Sequence, residues 1–290
     1  MLCPHCHKQA RLLFVAQDKN RKKPGSFDYY RSPCGLVFIG EIPSDLAMYY
    51  QGGYNEIPEN EAGLAKMAEA ESYRLDVIKK YVASGAEYLE IGPWIGLAAY
   101  NAKLAGYDVS ALEFNEDCID LMRRSGINAM QTDDPAAALA ASDKHYDVIA
   151  MWHSIEHLPR PWDVIDQAAK RLKKSGILFV AAPNPDSAQM KVYGKDWYHL
   201  DAPRHIYFPS ALMIEQIALR NGLRLVERTT DDRLGEIIER DGWRHALHSH
   251  VPIPGLRRIY KIIAGYFLNR KYRTLGDFGG AGFSIVFVKE

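Results

Sequence analysis

Long uninterrupted runs of apolar residues are missing from this sequence. The longest apolar stretch, residues 259–268, is broken by Lys261 and is far shorter than the ~18 residues that a membrane-spanning helix needs. The first residues contain neither the basic segment nor the apolar segment of a secretory signal. These two absences predict a cytoplasmic protein without a transmembrane segment.

An excess of charge of one sign is missing as well. The chain contains 36 Lys and Arg against 36 Asp and Glu, so its formal net charge is zero. A general nucleic-acid binder needs a basic surface that displaces counterions from phosphates, and we therefore expect no stable nucleic-acid partner. The 47% of hydrophobic residues is typical of a globular protein, and the length of 290 residues allows one large domain or two smaller ones.

Cysteine is scarce, at four residues in 290, which excludes a scaffold held together by disulfides. Three of the four lie within the first 34 residues. Cys3 and Cys6 are separated by two residues, the spacing at which two thiolates converge on one metal in a zinc knuckle. Cys34 adds a third thiolate. This pattern predicts one structural zinc ion near the N-terminus.

The fourth zinc ligand does not follow the same pattern. A second knuckle would have cysteine at position 31, where the sequence has Arg31. His5 or His7 would complete a set of three sulfurs and one nitrogen, and we take His7 as the expected fourth ligand. The alternative is a ribbon that holds no metal and is stabilised by its apolar and aromatic side chains.

The first 84 residues predict two segments that differ from the rest of the chain. Residues 1–43 are expected to form a small β-rich unit similar to a zinc ribbon, with strands at 12–15 and 34–39. Residues 44–84 contain a tyrosine-rich connector and then a helix over residues 60–83, where apolar side chains recur at helical spacing.

Residues 85–290 predict one α/β domain, because short apolar strands alternate with helices. The predicted strands are 86–91, 107–113, 127–132, 146–152, 176–182, 223–229 and 283–288. The predicted helices are 95–105, 115–125, 160–173 and 209–221. This alternation is typical of a Rossmann-like, doubly wound, mostly parallel sheet, here of seven strands. Ligands bind such sheets beyond the carboxyl ends of the strands.

The loop after the first of these strands contains a glycine turn. Glu90 is followed by Gly92 and Gly96, and a helix begins directly afterwards. Glycines let the backbone approach a ligand, and a helix N-terminus presents free N–H groups. A dinucleotide site would have glycines at positions 92, 94 and 97, but Trp94 and Leu97 stand at two of them. This difference argues against NAD or FAD.

The next two strands lead into acidic residues. Glu113 lies 21 residues after Gly92, where a carboxylate accepts hydrogen bonds from both hydroxyls of a ribose. The alternative is an ordinary acidic residue at a helix N-terminus. The third strand is followed by Asp133 and Asp134, and either aspartate is also suited to cap the helix that starts at Pro135.

The fourth strand and the loop after it are the most informative stretch. The strand ends at Trp152, and residues 153–159 read His-Ser-Ile-Glu-His-Leu-Pro. Together with the glycine turn, this stretch resembles the class I S-adenosylmethionine-dependent methyltransferases, and its Glu-His-Leu-Pro ending resembles their ubiquinone-biosynthesis-like branch. The resemblance extends from about residue 86 to residue 230. Trp94 replaces the middle one of the family's three alternating glycines.

The resemblance implies S-adenosylmethionine as the cofactor. In the family, an acid at the end of the third strand commonly contacts the adenine amino group, and Asp133 stands there in this chain. The expected cofactor-binding residues are Glu90, Gly92, Gly96, Glu113, Asp133 and Trp152.

Methyl transfer to oxygen or carbon also requires a base, because the acceptor loses a proton. We expect His157, beside Glu156, to be this base, with His153 and His205 as the next candidates. One alternative is a structural role for His157 at the start of a helix. Another, which the resemblance implies, is a metal at the Glu156–His157 pair.

The same segment also matches the H-x-x-E-H pattern of some zinc peptidases. Such a peptidase needs an unbroken helix, so that both imidazoles share one face. In this chain, His153 follows a buried strand, and Pro159 lies two residues beyond His157. Because such short patterns often occur by chance, the peptidase is the weaker interpretation.

The acceptor site is predicted from two long segments. Residues 185–208 form an unusually long connection that is too aromatic for disorder. Residues 231–280 are expected to form a helical lid before the last strand. Within this lid, residues 256–273 combine basic side chains with one apolar helical face, so the alternatives are recognition of an anionic acceptor and a weak contact with a membrane surface. The residues expected to bind the acceptor are Asn184, Tyr193, Trp197 and Arg204.

These observations predict a methyltransferase that acts on an oxygen or carbon atom of a small-molecule or sugar acceptor. Two alternatives belong to other classes: an RNA-modifying enzyme that uses the N-terminal segment, and a protein that binds S-adenosylmethionine without catalysis. The neutral charge and the lack of an Asn-Pro-Pro-Tyr-type sequence after the fourth strand count against the first. Trp94 alone favours the second.

Overall fold

The structure is a computed structural model that describes residues 1–51, 56–230 and 279–290, together with the isolated positions 233, 236, 237, 240, 242 and 267. Among these residues, no helix is both long and apolar enough to cross a membrane. The predicted helical lid, residues 231–280, and its basic segment, residues 256–273, lie almost wholly outside the described residues.

Strands and helices follow one another in an order close to the predicted one. The strands are β1 (Arg11–Ala16), β2 (Phe27–Arg31), β3 (Val37–Ile39), β4 (Glu87–Ile91), β5 (Asp108–Glu113), β6 (Asn128–Gln131), β7 (Tyr146–Trp152), β8 (Leu172–Pro183), β9 (Tyr207–Phe208), β10 (Leu223–Thr229) and β11 (Gly282–Lys289). The helices are α1 (Glu61–Ala70), α2 (Tyr73–Lys79), α3 (Leu97–Leu104), α4 (Glu116–Arg124), α5 (Pro135–Ala141), α6 (Pro161–Arg171), α7 (Ala188–Tyr193) and α8 (Ala211–Arg220). The prediction of one helix over residues 60–83 was wrong, because a turn after Ala70 separates α1 from α2.

A seven-stranded sheet forms the larger part of the fold. Its strand order is β10-β11-β8-β7-β4-β5-β6. The neighbouring pairs β7–β8, β4–β7, β4–β5 and β5–β6 are parallel. This confirms the predicted Rossmann-like, doubly wound, mostly parallel sheet. The strand order reverses between β4 and β7, and such a switch point is where sheets of this kind bind ligands.

The central strands are apolar on both faces, as parallel strands covered by helices must be. Val148 and Ile149 in β7 and Leu178 and Phe179 in β8 are all fully buried. Burial of a side chain of this size stabilises the fold by about 1.5–3 kcal/mol. The loops after these strands therefore begin at strands that are held in place by a packed core.

Helix α4 shows how the local sequence places one of these loops. Asn115 caps the helix by accepting a hydrogen bond from the Cys118 N–H at 3.1 Å. Two acids occupy the first turn and two arginines the last turn, and both placements are favourable in the field of the helix dipole. The start of α4 is thereby set directly after Glu113 at the end of β5.

A second, antiparallel sheet contains the N-terminal strands in the order β1-β2-β3-β9. The β-rich character of the N-terminal segment is thus confirmed, but the sequence analysis missed β2 and β9. In β2, buried Phe27 and Tyr29 flank exposed Asp28 over only five residues. Strand β9 has two residues, which is too short for any periodicity to indicate it.

The chain divides into two compact units. One contains Met1–Tyr54, Ala182–Met213 and Arg228–Ser284. The other contains Asn55–Ala181, Ile214–Glu227 and Ile285–Glu290, and with them the carboxyl ends of β4, β5, β6 and β7. The unit of the N-terminal strands thus also includes all of residues 185–208, the connection that was expected to bind the acceptor.

Candidate cofactor and active site

Four adjacent strands, in the order β7-β4-β5-β6, end at one edge of the large sheet. Gly92 follows β4, and Glu113 ends β5. Asp133 comes shortly after β6, and His153 and His157 come after β7. Because these strands are parallel, their carboxyl ends meet at this edge, where such folds bind ligands. The structure thus brings the predicted cofactor residues and two of the three predicted bases to one edge.

The turn after β4 contains three residues with a left-handed backbone. Gly92, Trp94 and Gly96 have φ angles of 67°, 56° and 81°. A Cβ atom at Gly92 would lie 2.6 Å from the Cβ of Ser154, so only glycine fits there. Trp94 adopts a conformation that favours glycine, at a cost of about 1–2 kcal/mol. The turn therefore keeps its shape although the middle glycine of the family is replaced.

The Glu113 carboxylate is held against this turn. Its Oε2 atom accepts a hydrogen bond from the Trp94 N–H at 2.9 Å. Its Oε1 atom accepts from the N–H groups of Phe114 at 2.9 Å and Asn115 at 3.1 Å. Burial raises the pKa of Glu113, and these three hydrogen bonds oppose the rise. Since Asn115 caps α4, Glu113 is not the capping residue of that helix.

The two aspartates after β6 have different environments. Asp134 caps α5 by accepting a hydrogen bond from the Ala137 N–H at 3.1 Å, and it pairs with Arg160 at 2.6 Å. Asp133 is exposed. The capping role thus belongs to Asp134, and Asp133 remains the proposed adenine contact.

Glu90 and Trp152 belong to one buried cluster with two residues that the sequence analysis did not single out. The Tyr88 hydroxyl lies 3.4 Å from Glu90 Oε2 and accepts a hydrogen bond from Trp152 Nε1 at 3.3 Å. The Arg74 guanidinium, from α2, lies 5.5 Å from the centre of the Trp152 ring. The position of Arg74 between two apolar residues, Tyr73 and Leu75, is the sequence signal that could have indicated its role.

The buried cluster changes the acidity of Glu90. Burial raises the pKa of this carboxyl to about 7, although the nearby Arg74 charge, the Ala99 backbone and the Tyr88 hydroxyl lower it. Glu90 is only 1% exposed, so its charge is costly to maintain without a cationic ligand or neighbour. A positively charged ligand group beside Glu90 would, like Arg74, favour its charged form.

Replacing Glu90 by glutamine is expected to stabilise the ligand-free protein above neutral pH. A carboxyl whose pKa rises on folding contributes stability below its unfolded pKa and loses it as the pH rises through about 7. The free energy of unfolding of Glu90→Gln should exceed the wild-type value by about 2–4 kcal/mol near pH 8, and by little near pH 4. Urea unfolding at both pH values measures the difference, and parallel pH profiles for the two proteins would contradict the raised pKa.

His153 has the geometry of a carboxylate-oriented base. Its Nδ1 atom lies 3.5 Å from Oε1 of Glu156, whose side chain is 1% exposed. Its Nε2 atom is buried and has no hydrogen-bond partner within the described ranges. An imidazole with a carboxylate beside one nitrogen and no hydrogen-bond partner on the other is suited to proton transfer once an acceptor reaches that nitrogen.

His157 is half-buried at the end of a short 3₁₀ helix, Ile155–His157, and its N–H donates to the Ser154 carbonyl at 3.0 Å. His153 lies before this helix with a φ angle of 52°. The two imidazoles are therefore not on one unbroken helix. The zinc-peptidase alternative is wrong for this reason, and both histidines remain base candidates.

Arg204 has a different environment from the one predicted. Its side chain is fully buried and paired with two carboxylates, so a structural role explains it better than the predicted acceptor contact. The guanidinium donates to Asp18 at 2.8 and 2.9 Å and to Asp201 at 2.7 and 2.9 Å. It also donates to the Tyr49 carbonyl at 3.1 Å. The sequence did not reveal this role because Asp18 lies 186 residues away along the chain.

Replacing Arg204 by methionine is expected to lower the stability of the protein, because two buried carboxylates lose their counter-charge. Removing one partner of a buried ion pair costs about 3–5 kcal/mol. Thermal and urea unfolding of Arg204→Met and of the exposed control Arg11→Met measure this loss. A variant as stable as the control would restore Arg204 as a candidate for acceptor binding.

Asn184 is also used within the protein. Its side chain is buried, and its Nδ2 donates to the Gly280 carbonyl at 2.9 Å. Its Oδ1 accepts from the Asp186 N–H at 3.0 Å. These hydrogen bonds close the turn after β8, so a structural role explains this side chain better than the predicted acceptor contact.

The other predicted residues of the acceptor segment are Tyr193, Trp197 and His205. Tyr193 and His205 are half-buried, and His205 Nδ1 lies 2.8 Å from the His199 carbonyl oxygen. Trp197 is buried against Phe208, with 5.7 Å between ring centres. Its Nε1 atom is buried and has no hydrogen-bond partner among the residues that the structure describes.

The three N-terminal cysteines come together as predicted from their spacing. Their sulfur atoms all lie within 4.8 Å of one another, and all three are free thiols. Burial raises the pKa of Cys34 to about 11. Burial also acts to raise the pKa of Cys6, but hydrogen bonds, chiefly that with Ser32, lower it to about 7. The predicted fourth ligand, His7, is exposed and is not part of this cluster.

Comparison with known proteins identifies the family. The profile of a family described as a methyltransferase domain matches residues 66–228, more than half of the chain. The ubiquinone biosynthesis O-methyltransferase of Xylella fastidiosa (strain M23) is 34% identical over 117 residues, which cover 38% of this chain and 48% of that protein. The chain thus spans about half the length of such curated relatives.

Solved structures share the fold at low sequence identity. A SAM-dependent methyltransferase from Archaeoglobus fulgidus has a TM-score of 0.51 at 20% identity, covering 77% of this chain and 94% of that chain. The (4+2) cyclase SpnF has the same TM-score at 17% identity, covering 76% of this chain and 82% of that chain. The fold alone therefore does not decide the reaction. The chain belongs to the methyltransferase-domain family.

Proposed function

We propose that this chain is an S-adenosylmethionine-dependent methyltransferase that acts on an oxygen or carbon atom of a small-molecule or sugar acceptor. The observation that carries this proposal is the pairing of His153 with Glu156 at 3.5 Å beyond the end of β7. Oxygen and carbon acceptors must lose a proton, and a positioned imidazole can take it. The naming of several curated relatives as O-methyltransferases supports oxygen as the first choice.

His153 is the proposed base, with His157 second. The acceptor proton would move to Nε2 of His153, and the Glu156 carboxylate would stabilise the imidazolium through Nδ1. His157, which the sequence analysis ranked first, ends the 3₁₀ helix, and one of its ring nitrogens lies within 4.8 Å of a Glu156 carboxylate oxygen. It therefore remains the second candidate. A metal at the Glu156–His157 pair is not needed for this scheme.

The cofactor contacts are proposed from the loops at the sheet edge. Bound S-adenosylmethionine would supply a methyl group on a positively charged sulfur, which is already a good leaving group. Glu113 is suited to accept from the ribose hydroxyls and Asp133 from the adenine amino group. The turn at Gly92 and Gly96 admits close approach of the cofactor. The amino-acid part of S-adenosylmethionine carries an ammonium group and a carboxylate group. Glu90 and Arg74 are suited to bind these two groups, because they carry the opposite charges. Trp152 is the remaining proposed contact.

On the acceptor side, the remaining proposals are Tyr193, Trp197 and His205. The buried Nε1 of Trp197 is suited to donate a hydrogen bond to a polar acceptor, because no described residue receives one from it. Since Arg204 and Asn184 are used within the protein, neither is part of this proposal. We also propose one structural zinc ion at Cys3, Cys6 and Cys34.

The test is a methyl-transfer screen with isotopically labelled cofactor. Phenols, nucleotide-sugars and carbon acids should include acceptors that are labelled by the wild-type protein, whereas bulk RNA should not. Labelling of RNA alone would favour the nucleic-acid alternative. Saturating S-adenosylhomocysteine should also raise the melting temperature, since about 100 times the dissociation constant contributes about 2.7 kcal/mol. Stabilisation without transfer to any acceptor would favour a non-catalytic binder.

A further inference from the structure

Ser32 lies beside two of the three sulfur atoms of the cysteine cluster. Its side chain is 4% exposed. Its hydroxyl oxygen lies 3.1 Å from the sulfur of Cys6 and 3.3 Å from the sulfur of Cys34. The cluster is therefore a set of three sulfurs and one oxygen, drawn from two turns of the small sheet.

The neighbouring Arg31 explains why Ser32 takes this place. Knuckle spacing counted back from Cys34 gives position 31, but Arg31 ends β2, and its guanidinium pairs with Asp186 at 2.7 Å. The chain turns at the next residue, where the Ser32 N–H donates to the Leu36 carbonyl at 2.9 Å. This turn directs the hydroxyl of Ser32 towards the cysteines.

Three of the six distances between the four atoms can be compared with the edges of a tetrahedral site. With Zn–S bonds of about 2.3 Å and a Zn–O bond of about 2.0 Å, the edges of a tetrahedron are about 3.8 Å between sulfurs and about 3.5 Å between sulfur and oxygen. The Cys3–Cys34 sulfur distance is 3.7 Å, far above the roughly 2.05 Å of a disulfide. The two sulfur–oxygen edges, at 3.1 and 3.3 Å, need only a small expansion.

We infer that Cys3, Cys6, Cys34 and Ser32 form one four-ligand zinc site, in which the Ser32 hydroxyl replaces the fourth thiolate. Binding would displace three thiol protons, and the hydroxyl would complete the tetrahedron as a neutral donor. The inference depends on the proposed zinc ion but not on the proposed acceptor. The ion would link the turn after Cys3 to the turn after β2, and so stabilise the small sheet.

The test is cobalt substitution in the full-length protein, because thiolate-to-cobalt charge-transfer absorption reports the number of sulfur ligands. Wild type should bind one metal ion per chain with three-thiolate absorption. Ser32→Cys should raise this absorption to about four-thirds of the wild-type value, and should hold zinc more tightly against a competing chelator. The matched control His7→Ala should change neither property. Ser32→Ala should lose about 10-fold or more in zinc affinity.

Two results would overturn the inference in different ways. An altered cobalt spectrum in His7→Ala, together with wild-type absorption in Ser32→Cys, would make histidine the fourth ligand. Absence of stoichiometric metal in wild type would refute the zinc site as a whole. S-adenosylhomocysteine binding by the same samples separates either failure from a failure of the proposed methyl transfer. If Ser32→Cys does not fold, the affinity of Ser32→Ala decides between the ligands.

Discussion

Alanine in place of His153 is expected to lower the rate of methyl transfer by about 10²–10⁴-fold, which is the usual contribution of a positioned general base. The buried Nε2 atom would no longer be present to take the acceptor proton, while the Glu156 carboxylate would lose its partner at 3.5 Å. The affinity for S-adenosylhomocysteine should barely change, because the proposed ribose and adenine contacts follow other strands. Steady-state kinetics and ligand titration on His153→Ala measure both quantities.

Two companion variants show whether His153 or His157 is the base. Glu156→Gln should lower the rate less than His153→Ala, because the imidazole would keep its Nε2 atom and lose only the charge of the neighbouring carboxylate. His157→Ala should retain most of the activity. The reverse pattern, with a large loss in His157→Ala and near-normal turnover in His153→Ala, would return the role to His157.

Alanine in place of Glu113 is expected to weaken S-adenosylhomocysteine binding by about 10²–10⁴-fold. Two hydrogen bonds from ribose hydroxyls to a carboxylate would be lost, each contributing about 1.5–3 kcal/mol. The carboxylate also accepts hydrogen bonds from the N–H groups of Trp94, Phe114 and Asn115. The glycine turn should therefore lose order as well, and isothermal titration of the folded variant measures the combined loss in affinity.

The controls for Glu113 separate binding from folding. Glu116→Ala removes an exposed acid from the first turn of α4 and should leave the affinity unchanged. Glu113→Asp keeps the charge but shortens the side chain, so it should bind with intermediate affinity. Wild-type affinity in Glu113→Ala, with an unchanged melting temperature, would mean that the ribose is bound elsewhere.

The sequence by itself determined the large sheet and the edge at which the site lies. Short apolar strands that alternate with helices leave few topologies, because crossovers between parallel strands are right-handed. Gly92 and His153 come directly after a strand, and Glu113 is the last residue of one. Their positions can therefore be predicted from the local pattern alone. The local pattern could not indicate β9, because its two residues form a strand only through their pairing with β3.

Only the tertiary structure decided the roles that depend on partners far along the chain. Arg204 looked accessible until the fold placed Asp18 and Asp201 against it. The Ser32 hydroxyl, and not His7, lies beside the sulfurs of Cys6 and Cys34 because the chain turns where β2 ends at Arg31. The physical reason is that a charged or polar side chain becomes structural or functional according to what is buried beside it. Sequence spacing indicates which residues lie at a strand end. The partners that bind or neutralise their side chains come together only when the chain has folded.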